Sequence, residues 1–207
     1  MNPQDRQRWL EKFVEGFMFH DVKTCIEGGA NFSAALSLSV YTDALGGLIN
    51  GNLAETGVSE LNYTTFLKRM GYTPDQAAKY YRAVRCGLAH QYFIKGEHVI
   101  GIMTPEVGSK GIREALDVIC FINEAYFAEF KKAYFDYKSE LLAGNGNLPA
   151  NFDRALSDPT IPYQVKAVAD PNTVQVSLAV GAISGVSLIF VPTAGPMPWP
   201  QPAAVTS

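Results

Sequence analysis

Tyr80-Tyr81-Arg82-Ala83-Val84-Arg85-Cys86-Gly87-Leu88-Ala89-His90-Gln91-Tyr92 is the stretch around which the chain is organised. Ala77, Tyr81, Val84 and Leu88 recur at helical spacing and predict a buried stripe. Ala78, Arg82, Arg85 and Ala89 fall on the adjoining stripe, which sets two guanidiniums side by side. Gly87 weakens the helix just before His90 and gives the chain a place to fray or turn. His90 sits well round an ideal helix from Arg85, and a turn at Gly87 would bring the two together. An arginine, a histidine and a tyrosine gathered at one helix end have the chemistry to bind and cleave a phosphodiester.

Arg85, His90 and Tyr92 spell R-x-x-x-x-H-x-Y, which resembles the HEPN superfamily (higher eukaryotes and prokaryotes nucleotide-binding). In that family an arginine and a histidine a few residues apart close a late helix of a small helical bundle. The form ending in tyrosine is similar to HEPN toxins paired with a nucleotidyltransferase antitoxin. The run from Ala34-Ala35-Leu36 to Asp43-Ala44-Leu45-Gly46-Gly47-Leu48 also looks like the family's helix preceding the motif helix. By helix order and length the resemblance covers roughly residues 5 to 142.

The resemblance implies a mainly α, up-and-down helical bundle and a metal-independent endoribonuclease of toxin or defence type, acting as a homodimer. It implies RNA or a nucleotide as ligand, and an antitoxin that adenylylates the tyrosine. Metal-free RNA cleavage uses the ribose 2′-hydroxyl as nucleophile, with a base, an acid and a cation for the developing phosphorane charge. His90 is then the acid/base and Arg85 the phosphate and transition-state ligand. Arg82 holds a flanking phosphate, and Tyr92 positions substrate or is the modified residue. One motif supplies a single histidine, so two motifs facing across a symmetry axis supply the pair. Cys86 follows Arg85 where many active members carry a polar residue. The alternative is therefore a catalytically inactive HEPN-like module that binds nucleotide or RNA, or docks a protein. In that case Arg85 pairs with an acidic residue such as Asp43 and His90 caps the helix end.

Outward from the motif, residues 1–142 read as the helical bundle, 143–173 as a linker, 174–191 as a β-hairpin and 192–207 as a proline-rich tail. Asn2-Pro3 starts a helix that runs to about His20, with Trp9, Phe13 and Phe17 on one face. Glu27-Gly28-Gly29 breaks it. A second helix follows from about Asn31 to Ile49, with Leu36, Val40, Ala44 and Leu48 on one stripe and small residues that admit a close neighbour. Asp43 in this helix is either the partner of a nearby arginine or a surface residue; pairing is the preferred reading. Glu60 to Met70 is a short helix, and Thr73-Pro74-Asp75 caps and starts the motif helix. Tyr92-Phe93-Ile94 and His98 to Ile102, around Lys95-Gly96-Glu97, predict a small hairpin. Gly108 to Leu142 carries the longest helical periodicity and predicts one helix spanning the bundle. Gly144-Asn145-Gly146 marks the boundary. Beyond it, Val174 to Val180 alternates like a strand, although 174–191 is also apolar enough to weigh as a membrane helix. Its polar and β-branched residues favour the hairpin, so no stable membrane association is expected.

The net charge of −3 argues against a protein that coats nucleic acid non-specifically. Between Phe66 and Arg113, however, eight basic residues face three acidic ones, a local excess compatible with a phosphate-bearing ligand. A solvated face of lysines is the ordinary alternative. The three histidines His20, His90 and His98 and the cysteines Cys25, Cys86 and Cys120 show no metal-ligand spacing. No metal or other cofactor is expected. The polar amino terminus lacks an apolar signal core, and a reduced cytoplasmic setting is the default expectation.

Overall fold

Asn2 accepts the Asp5 backbone N–H in its side chain, and Pro3 occupies the first helical position, so α1 (Pro3–Leu10) starts as its residue types dictate. The structure is a computed structural model; it describes residues 1–53, 55–91, 99–101, 110–115, 118–157, 163–167, 174–178 and 187–190. A π-helical stretch, π1 (Glu11–Met18), carries the first helix into α2 (Phe19–Glu27). The first helical run thus passes the expected end near His20, which is exposed on it. It stops at Gly28 and Gly29, where Gly29 adopts φ +71°.

Helix α3 (Asn31–Asn50) is the central element and ends at Gly51 with φ +77°. Its buried face keeps Leu48 and Leu45 of the expected pattern but is turned away from Val40, and Leu36 and Ala44 are only half-buried. Val40 is 41 % exposed, whereas Ala34, Ala35, Leu38, Ser39, Thr42, Leu45 and Gly46 are buried. A helix with neighbours on several sides turns its small residues to the closest approach, and α4 (Ser59–Arg69) uses this surface. A Cβ on Gly46 would lie 1.8 Å from the Asn62 carbonyl oxygen, so only glycine permits the crossing.

The motif helix begins with a capping box. Thr73 accepts the Gln76 backbone N–H, and the Gln76 side chain accepts the Thr73 N–H. It runs through α5 (Pro74–Tyr80), a π-helical turn π2 (Tyr81–Arg85) and α6 (Cys86–Gln91). Ala77, Val84 and Leu88 are buried as expected, but Tyr80 is fully buried and Tyr81 only half-buried.

One expectation for the following segment needs correction. Helical structure does not begin near Gly108: β2 (Ile112–Ala115) and β3 (Val118–Ile122) form an antiparallel pair, and α7 starts at Asn123 (Asn123–Leu142). Ile119 and Phe121 are buried with Cys120 half-buried between them, the two-residue alternation of a strand. The segment β1 (Val99–Gly101) joins β3 in parallel, giving the order β1-β3-β2. Of the hairpin expected after the motif helix, the described part of the second strand, Val99–Gly101, is a strand as expected. The residues of the expected first strand and turn, 92–98, lie outside the described residues.

Tyr126, Phe130, Ala133, Tyr137 and Leu141 of α7 are buried as its periodicity predicts. Phe19 meets the Tyr134 ring edge-on at 5.1 Å, and Phe66 lies 5.2 Å from Phe130. The stretch read as a linker holds α8 (Leu148–Ser157), whose Phe152 and Ala155 are buried. Arg154 donates to the carbonyls of Asn50 and Gly51 at 2.7 and 2.9 Å, and Asn151 to Ile49 at 2.8 Å. These bonds satisfy the last carbonyls of α3.

Residues 1–158 form one unit and 159–207 another. In the second, β4 (Tyr163–Ala167), β5 (Val174–Leu178) and β6 (Ser187–Phe190) make an antiparallel sheet in sequence order. The tail 192–207 lies outside the described residues. Among the described residues, α3 is the one helix long and apolar enough to cross a membrane, and half of its most apolar window is buried in the core.

Candidate functional site

Arg85 closes the π-helical turn, where the Cys86 N–H reaches back to the Tyr81 carbonyl. Its guanidinium points to α3: Nη2 donates to Asp43 Oδ2 at 2.9 Å. The same carboxylate oxygen accepts the Ser59 hydroxyl from the first turn of α4. Asp43 is 14 % exposed and Arg85 20 %, so this pair is shielded from solvent far more than an ordinary surface ion pair. Three helices are tied by one carboxylate.

The group lines an open cleft of about 300 Å³ between α3, α4 and the motif helix. Val40, Leu53 and Val58 form apolar walls, and Asn62 and the exposed Glu55 add polar lining. Asn62 is fixed by the Asn50 amide, which donates to its carbonyl oxygen at 2.9 Å. Tyr81 lies beside the cleft, its ring 5.8 Å from Tyr63. Burial pushes the Tyr81 phenol above its usual pKa, while a hydrogen bond with Ser59 pulls it the other way. It is a neutral hydroxyl here.

The residues expected to act together occupy different settings. Arg82 is 69 % exposed and comes within 3.8 Å of Glu60 on α4, an exposed pair of small energetic consequence. His90 is exposed near the end of α6, which continues through Gly87 to Gln91. Tyr92 lies outside the described residues. The preferred reading of Asp43 as an arginine partner agrees with the structure. Ser59 and Asn62 were not singled out from sequence, because a serine at a helix start reads as an ordinary cap. Cys25, Cys86 and Cys120 are free thiols, each half-buried. Among the described residues, no group of three histidine, cysteine or carboxylate side chains is placed to hold a metal ion.

Chemically, the cleft offers one cation already matched to one carboxylate. The motif helix separately offers an exposed arginine and an exposed imidazole. No family model, curated protein or solved structure matches this chain.

Proposed function

We propose that this chain is a HEPN-like helical module that binds RNA or a nucleotide without cutting it, with Arg85 serving as a structural cation. The Arg85–Asp43 ion pair carries this reading. A catalytic arginine must meet the phosphorane charge with its donors, and here a buried-side donor is engaged by a carboxylate that also holds Ser59. Withdrawing either partner from a shielded pair leaves an uncompensated charge. Arg82 and His90 are exposed and supply the contacts to phosphate.

Exposure of His90 favours one second reading, the metal-independent endoribonuclease that acts as a homodimer and is silenced by a nucleotidyltransferase antitoxin. An accessible imidazole is what acid/base work on RNA requires.

Fluorescence anisotropy with a labelled single-stranded RNA tests the binding claim. Arg82→Ala and His90→Ala should each weaken binding several-fold. Losing the Arg82 contact should flatten the slope of log K against log salt by about 0.7. Arg85→Gln, if folded, should bind like the wild type. Wild-type binding that is absent, or indifferent to Arg82 and His90, contradicts the proposal.

A further inference from the structure

The cleft between α3 and α4 holds a guanidinium engaged on one side only. Arg85 Nη2 is taken by Asp43, whereas its Nε is buried with no acceptor among the described residues. Guanidinium donors come in pairs along an edge, and an oxyanion of the phosphate class accepts such a pair together. The Asp43 carboxylate takes Nη2 with the same oxygen that takes the Ser59 hydroxyl. It therefore occupies the position of an anion while leaving part of the donor set unused. Ser59 can donate equally to a phosphate oxygen. The cleft opens to solvent, is about 300 Å³ in volume, and has Val40, Leu53 and Val58 as apolar walls that strengthen any charge interaction inside it. That volume suits a small ligand.

We propose that this cleft is a binding site for a phosphate-class oxyanion, held shut by Asp43 acting as an internal competitor for Arg85. The inference rests on the reading of the domain as one that takes a phosphate-bearing ligand, and it adds a second anion position, apart from Arg82 and His90, that the Arg85–Asp43 pair keeps closed in the wild type. The opposing group is Asp43 rather than the general charge of the cleft, because Glu55 is exposed on its rim and screened by water.

The test is calorimetric titration of inorganic pyrophosphate into the full chain. Asp43→Asn should bind at least about tenfold more tightly than the wild type, roughly 1.4 kcal/mol. The gain should vanish in the double variant Asp43→Asn with Arg85→Gln, and Glu55→Gln should stay within about twofold of wild type. If Asp43→Asn does not fold, Asp43→Ser keeps a hydroxyl acceptor without the charge and should show the same gain. A folded Asp43 variant with no gain, a gain that survives loss of Arg85, or an equal gain in Glu55→Gln each overturns the inference. Single-stranded RNA titrated onto the same proteins separates the two claims. A pyrophosphate gain without RNA binding keeps the Asp43 competitor and removes the RNA reading. RNA binding through Arg82 and His90 without a pyrophosphate gain does the reverse.

Discussion

Gly46→Ala challenges the contact that sets the geometry of the whole cleft. The new methyl carbon would lie 1.8 Å from the Asn62 carbonyl oxygen, 2.4 Å from its carbonyl carbon and 2.9 Å from its Cα. All three atoms belong to the backbone of α4, so no flexible side-chain tip can swing aside. Restoring an ordinary contact requires α4 to move off α3 by about 1.5 Å. Overpacking of this kind costs about 1–3 kcal/mol. The displacement also parts Ser59 from Asp43, a charge-assisted bond whose loss adds about 1.5–3 kcal/mol. Alanine's better helix propensity returns roughly 1 kcal/mol. A net loss of about 1.5–5 kcal/mol should lower the melting temperature by roughly 3–20 °C in a domain of this size. Far-UV circular dichroism during heating, with a urea titration beside it, reads this directly. A variant melting at or above the wild-type temperature, as propensity alone requires, would refute the close α3–α4 crossing.

Arg154→Ala removes the two bonds to the Asn50 and Gly51 carbonyls and should cost about 1–3 kcal/mol. Urea denaturation measures it, and an unchanged midpoint would mean that α8 does not cap α3. Alkaline pH should unfold the domain through its tyrosines. Burial foremost, and then Glu114, push the Tyr80 phenol up to about 12, and burial with Glu15 also raises Tyr134. Their folded values lie above the unfolded value of about 10, so this stability is fully present below about pH 10 and is lost as pH rises towards about 12. Tyrosine absorbance titrated with pH should lag a free phenol until the helical signal collapses. Ordinary titration near pH 10 with the fold intact would contradict the buried settings.

Residues whose effect is local were the legible ones. Asn2-Pro3 and Thr73-Pro74-Asp75 start helices because Asn2 and Thr73 satisfy a first N–H group with their side chains, a matter of a few adjacent atoms. Gly28-Gly29 stops one for the same kind of reason. Asp43 and Arg85 were legible as a pair because a carboxylate among apolar neighbours needs a cation. On α3 the small residues Ala34, Ala35 and Ser39 are buried as their size suggests, whereas Val40 is exposed because the close crossing selects Thr42 and Gly46 over a large apolar neighbour. The isolated apolar positions of 112–122 fit a helical period as well as a strand's, so periodicity alone misleads there. The decisive signal there was the β-branched run Val118-Ile119 before Cys120. The π-helical turn at Tyr81–Arg85 left no sequence signal, since one extra residue in a turn barely alters an apolar pattern. Tyr80, just before it, is buried, and its hydroxyl meets Glu114 of β2 at 3.3 Å. Ser59 carries no site signal because a serine at a helix start reads as an ordinary cap.

The proposed HEPN-like module binds RNA and does not cut it. The decisive experiment is incubation of a mixed RNA pool in EDTA with wild type, Arg85→Ala and His90→Ala, with folding and oligomeric state checked for each protein. RNA should be bound by the wild type, stay intact in all three incubations, and be bound more weakly by His90→Ala. Cleavage by the wild type that disappears in both folded variants would contradict it and establish the metal-independent nuclease.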